Sequence, residues 1–147
     1  MKQLTDEIRD LLDGQRLAVL ATSLQGHPYT TLVAFVPCPD LSQLCFATLR
    51  TTRKFANLSS DSRISLLIDN RSNNAEDFRS ALAVTALGNA KEVTESEREE
   101  WARLYLARHP SLHAFIAAPS CALFRVEVSR YCLVRRFQDV VEWEVER

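Results

Sequence analysis

The heptapeptide TLRTTRK, Thr48 to Lys54, brings three threonines and three cationic side chains into seven consecutive residues. If Thr48 ends a strand and Thr51 or Thr52 caps a helix, backbone N–H groups, threonine hydroxyls, Arg50, Arg53 and Lys54 can converge on one point. Guanidinium groups match phosphate oxygens as a planar fork, and a helix N-terminus carries unpaired donors and partial positive charge. Cations in a first helical turn oppose the helix dipole, so something negative is expected to compensate Arg53 and Lys54. Two readings compete: Asp61 as ion-pair partner in a solvated surface turn, or a bound anion such as a phosphate group.

Other chemistries find less support. The glycines are Gly14, Gly26 and Gly88, so there is no dinucleotide fingerprint, no P-loop and no nucleophile elbow. His109 and His113 are four apart, but Pro110 keeps His109 outside any helix they could share, so no metal site is assigned. His27 reads as a turn residue and the four cysteines as small buried apolar residues. No side chain stands out as a general acid or base, and no catalytic residue is assigned.

The elements that must position the cluster follow from periodicity. Leu4, Ile8, Leu11 and Leu12 form one helical stripe, with Gly14 expected as a left-handed cap. RLAVLATS and HPYTTLVAFV read as strands joined by a hairpin at Leu24, Gln25 and Gly26, with their apolar character predicting burial on both faces. QLCFAT is a third strand, followed by a short helix beginning near Thr51 or Thr52. RISLLID is a fourth strand, NRSNNAEDFRS a polar loop, and ALAVTALGNAKEV a fifth strand with a bulge at Gly88. Thr94 and Glu97 form a capping box for a helix that Pro110 ends, its charges a solvated face, with Trp101, Tyr105 and Phe115 in the core or at a dimer contact. The tail alternates as half-buried strands. Short strands in hairpin succession imply a mostly β, closed or nearly closed barrel with flanking helices.

The chain has 147 residues, with 18 Lys plus Arg against 19 Asp plus Glu and a formal charge of −1. One domain spanning residues 1–147 is expected. There is no basic field for nucleic acid or anionic lipid, and no apolar run of the roughly 20 residues a membrane span needs. Four cysteines without a C-x-x-C pairing and an N-terminus without a signal-type stretch predict a reducing cytoplasm.

The order of these segments resembles the pyridoxamine 5'-phosphate oxidase-like family of FMN-binding split barrels. The resemblance runs through LAVLATSLQGHPYTTLVAFV, LCFATLRTTRKFANLSSDSRISLLID and ALAVTALGNAKEV. It implies a six-stranded antiparallel split barrel that forms a homodimer with FMN in clefts between subunits. Arg53 and Lys54 would then hold the FMN phosphate, with hydroxyl bonds from Thr48 and Thr52, and Leu49 and Arg50 at the same corner. Thr31, Leu32 and Val33 would run along the flavin ring, and Asn70 and Arg71 would begin a loop reaching the partner subunit's flavin. The chain also departs from the family. Thr31 stands where the vitamin-processing oxidases carry a phosphate-gripping arginine, which leaves Arg50 as a substitute, and the tail lacks their Arg-x-His motif. Pyridoxamine phosphate is therefore not expected as substrate. The resemblance implies an FMN-dependent oxidoreductase acting on an unidentified small molecule with an unidentified electron donor. The alternatives are a non-catalytic module holding flavin, haem or the deazaflavin F420 for electron transfer, or a barrel serving only as an interaction domain. A haem site would call on His109 or His113 as axial ligand.

Overall fold

The computed structural model describes residues 2–147. Its elements in chain order are α1 (Lys2–Gly14), β1 (Leu17–Leu24), β2 (His27–Pro37), β3 (Gln43–Leu49), α2 (Arg53–Ser60), β4 (Arg63–Asp69), α3 (Asp77–Ser80), β5 (Leu82–Glu92), α4 (Glu95–Arg108), a 3₁₀ turn (Pro110–Leu112), α5 (His113–Ala117), β6 (Cys121–Arg135) and β7 (Asp139–Glu144). The strands are antiparallel in the order β3-β2-β1-β4-β5-β6-β7. Pairing of β3 with β6 closes six of them into the expected barrel. One edge of β6 carries β5, and the other is divided between β3 along Cys121–Glu127 and β7 along Arg130–Arg135.

Closure needs a bend in β5, and the bulge predicted at Gly88 supplies it. The pairing register shifts between Leu87 and Gly88. A Cβ at Gly88 would stand 2.2 Å from the Glu127 carbonyl oxygen, so only glycine allows this approach.

Alternate residues point inward, as the pleat requires. Leu20, Phe35, Phe46, Leu66, Val84, Phe124 and Tyr131 fill the interior, and the predicted stripe Leu4, Ile8, Leu11 and Leu12 seats α1 on the same core. The Tyr131 hydroxyl donates to the Leu41 carbonyl at 2.7 Å. α4 and α5 form a second layer, burying Trp101, Tyr105 and Ile116 against Val36, Cys45, Ala47 and Leu123. The capping box forms, with the Glu97 carboxylate accepting the Thr94 N–H at 3.2 Å.

Four local expectations change. Gly14 lies inside α1 and has no left-handed conformation; the hairpin instead uses Gln25 (φ 51) and Gly26 (φ 82), a two-residue turn that leaves Leu24 in β1. The polar loop contains α3, which forms because the Asp77 carboxylate gathers the N–H groups of Ser72 and Asn73 at 2.9 and 2.7 Å. β1 and β2 are not buried on both faces: Ala18 and Leu20 are inside, while Leu17 is 54% and Leu32 is 62% exposed. The helical layer packs on β2, β3 and β6 and covers these outward side chains only in part. No helix among the described residues is long and apolar enough to cross a membrane.

Gly88→Ala is expected to lower stability by about 1–3 kcal/mol, because backbone rather than a movable side chain blocks the methyl. Urea denaturation reads this directly, and an unchanged midpoint would show that the β5 bend tolerates a side chain.

Candidate functional site

The corner between β3 and α2 is built by two threonines. Thr52 is the helix N-cap: its hydroxyl oxygen accepts the Phe55 N–H at 3.3 Å, and its proton goes to the Leu49 carbonyl at 2.9 Å. The hydroxyl of Thr48, a buried residue, lies 2.7 Å from it. These groups lock strand to helix. The N–H groups of Arg53 and Lys54, the first two helical residues, have no acceptor within the helix.

The charges nearby sort cleanly. Asp61 forks onto Arg63 at 2.8 and 3.0 Å, and this partner pulls its carboxyl down to about 2. It compensates neither Arg53 nor Lys54, so the ion-pair reading of the corner is not realised. Arg50 makes a two-point bridge to Glu92, one arm at 3.1 Å, and lies over the Phe55 ring. That pairing takes Arg50 away from the role of substitute phosphate grip. Arg53 is exposed, its guanidinium 5.8 Å from the Tyr29 ring centroid. Lys54 is half-buried, has no anionic partner among the described residues, and burial pushes its pKa down. A partly desolvated ammonium without a counter-charge is unfavourable unless a ligand supplies one.

Lys54 lies at a groove of about 460 Å³, whose walls include Leu32, Val33, Thr48, Leu49 and Thr52. Six of the predicted site residues are therefore gathered there. Leu17, Ala34 and Ala47 complete the sheet wall, and Tyr105, Leu112 and Phe115 the helical one. Those six were missed. Tyr105 and Phe115 were legible as core or dimer-contact residues, but nothing local ties a helix beyond residue 94 to the end of β3.

The remaining predicted residues lie elsewhere. Thr31 pairs with the inward Leu20 and so sits on the opposite face of β2 from Leu32. The Asn70 side-chain oxygen accepts the Leu82 N–H at 2.7 Å, and Arg71 pairs with Asp69 at 2.8 Å beside a second pocket. Both close the β4 end. His109 is buried, and its Nε2–H donates to the Phe35 carbonyl at 2.7 Å; burial holds its pKa below the usual value, so the ring is neutral and committed. His113 is exposed on α5.

An apolar slot ending in an uncompensated lysine and open helix N–H groups suits a molecule with a planar apolar ring and an anionic tail. FMN has that form, and the residues present fit it.

The family profile for pyridoxamine 5'-phosphate oxidase matches residues 4–135. No curated protein matches the chain. Among solved structures, the fold is similar to a heme binding protein from Mycobacterium smegmatis (TM-score 0.83, 18% identity, 94% of this chain and 56% of that one). It is similar also to a FAD-binding protein from Mesorhizobium loti (TM-score 0.70, 15% identity, 88% and 90%). A third is the General Stress Protein 26 from Bacillus anthracis (TM-score 0.71, 16% identity, 96% and 99%). The chain thus spans little more than half of the first of these and nearly all of the other two.

Thr52→Ala is expected to cost about 1 kcal/mol as the N-cap is lost, and Thr52→Ser to restore most of it. Chemical denaturation of the two variants checks this; equal stability of the alanine variant would mean that the corner is held by other contacts.

Proposed function

Because the chain belongs to the pyridoxamine 5'-phosphate oxidase family, we propose that its groove binds FMN at the boundary of a homodimer, in an oxidoreductase acting on a small molecule. The observation that carries this reading is Lys54: a half-buried cation at a helix N-terminus, facing an apolar groove, with no anionic partner among the described residues. Lys54 and Arg53 would neutralise the phosphate, and Thr48 and Thr52 hold the corner that aims them. Leu32, Leu17 and Phe115 would flank the ring and keep water from it. Bound FMN supplies the redox chemistry, which the chain's own side chains lack. The groove is open on one side, where Leu17 and Leu32 stand exposed. A second copy covering that face would bury this apolar surface and shelter the ring.

A FAD-binding protein and a heme binding protein share the fold, which supports a cofactor in this cleft. The His109 ring is engaged by the Phe35 carbonyl, which weighs against haem. A second reading, a flavin carrier without turnover of its own, is favoured by one feature: the titratable groups lining the groove are Lys54 and Tyr105, and burial pushes the Tyr105 phenol well up from its ordinary value. Steady NAD(P)H oxidation by flavin-loaded protein distinguishes enzyme from carrier.

Arg53→Ala and Lys54→Ala are each expected to weaken FMN binding by roughly 10- to 100-fold without changing the circular dichroism spectrum, as expected of charge-assisted hydrogen bonds. Titration followed by flavin fluorescence measures this, and an unchanged Kd in the double variant would remove the assignment. Leu17→Glu combined with Leu32→Glu should yield a monomer on sizing that no longer retains flavin. A dimer that survives both charges would place the subunit contact elsewhere.

A further inference from the structure

An outward row of side chains, Leu32, Val19, Leu67 and Thr85, crosses the sheet from β2 to β5. The groove at Lys54 lies toward its β2 end. Toward the other end, α3 and the β6–β7 turn enclose a pocket of about 440 Å³ with an apolar floor of Leu67, Leu82, Ala83 and Val134. Two rings from distant parts of the chain meet at its rim: Phe78 of α3 and Phe137 of the turn, edge to face, centroids 5.5 Å apart. They are 61% and 67% exposed.

Two features argue that this is a built site. Arg136 (φ 50) and Phe137 (φ 71) occupy left-handed backbone in a turn closed by the Gln138 N–H on the Arg135 carbonyl at 3.2 Å. Such turns favour Asn and Gly, and a bulky aromatic there is strained. The turn carries the Phe137 ring to Phe78. The charged groups at the rim are already matched, Arg71 with Asp69 at 2.8 Å and Asp77 with the N–H groups of Ser72 and Asn73. Nothing there asks for an ionic guest, and a charged one would lose its hydration without a partner.

We propose that this pocket binds a neutral, planar aromatic molecule of two or three rings, and that it forms the substrate end of the shared site. The size suits such a guest, since ligand pockets run from roughly 300 to 1,000 Å³. Two exposed phenyl rings held edge to face offer both area and geometry for a third ring. The substrate role rests on the flavin-dimer reading. A two-fold axis lying in the contact plane sets each feature on one side of the axis against whatever the second copy carries equally far on the other side. With the axis passing through the outward row, the groove of one copy faces the Phe78 and Phe137 rings of the other.

The test uses the full chain and N-phenyl-1-naphthylamine, a neutral probe that fluoresces in apolar sites, titrated with and without saturating FMN. Saturable binding of one probe per chain is expected, weakened at least about tenfold by Phe78→Ala with Phe137→Ala. Ala83→Phe, which fills the floor while keeping both rings, should abolish it. Probe affinity unchanged in either variant, or no saturable binding, would overturn the proposal. Normal probe binding in protein that ignores FMN would overturn the substrate role and the flavin reading together while upholding the aromatic pocket.

Discussion

One backbone approach governs the barrel: Gly88 lies so close to the Glu127 carbonyl that a methyl group would stand 2.2 Å from its oxygen. The bulge permitted by that glycine bends β5, and β6 follows the bend. Because β6 is 15 residues long, it outruns β3 and offers a further length of edge to β7. The sheet therefore closes over one part of β6 and stays splayed over the other. Closure sets β3 beside the start of β6, so the chain leaving β3 emerges on the outer surface against the helical layer.

That emergence determines the electrostatics. In a chain with a formal charge of −1, many arginines near the barrel ends have a carboxylate partner: Arg50 with Glu92, Arg63 with Asp61, Arg71 with Asp69, Arg135 with Glu7. Exposed pairs of this kind contribute little stability. Their value lies in what they leave over. Lys54 has no such partner among the described residues and loses part of its hydration beside the groove. The positive end of α2 adds to the same spot.

The outer face of the sheet is divided by cover. α4 and α5 bury Cys45, Ala47 and Leu123 and leave β1 and β4 open. The open strip carries Leu17 and Leu32, whose neighbours on the sheet are equally outward-facing Val19 and Leu67. Hollows lie to either side of this strip, one ending at Lys54 and one with an apolar floor and a charged rim. A fold that hides its core inside the barrel can therefore present a broad apolar exterior without losing stability, provided that something covers it.

What the sequence by itself determined is the local chemistry. The α1 stripe, the Thr52 cap, the Thr94–Glu97 box and the Gly88 bulge depend on residues a few positions apart, and the order of those segments was enough to point to the family. The same short-range logic misjudged Gly14, whose helix ended without a left-handed turn, and the outward faces of β1 and β2, whose apolar residues carry no mark of which neighbour covers them. Tertiary structure decided the rest. It drew Arg50 to Glu92, 42 residues away, and brought Leu17, Leu112 and Phe115 to one groove with Lys54. A cap or a bulge is settled within a turn or two of chain, whereas a groove exists only after β6 has closed on β3, because its walls belong to strands and helices that meet nowhere else.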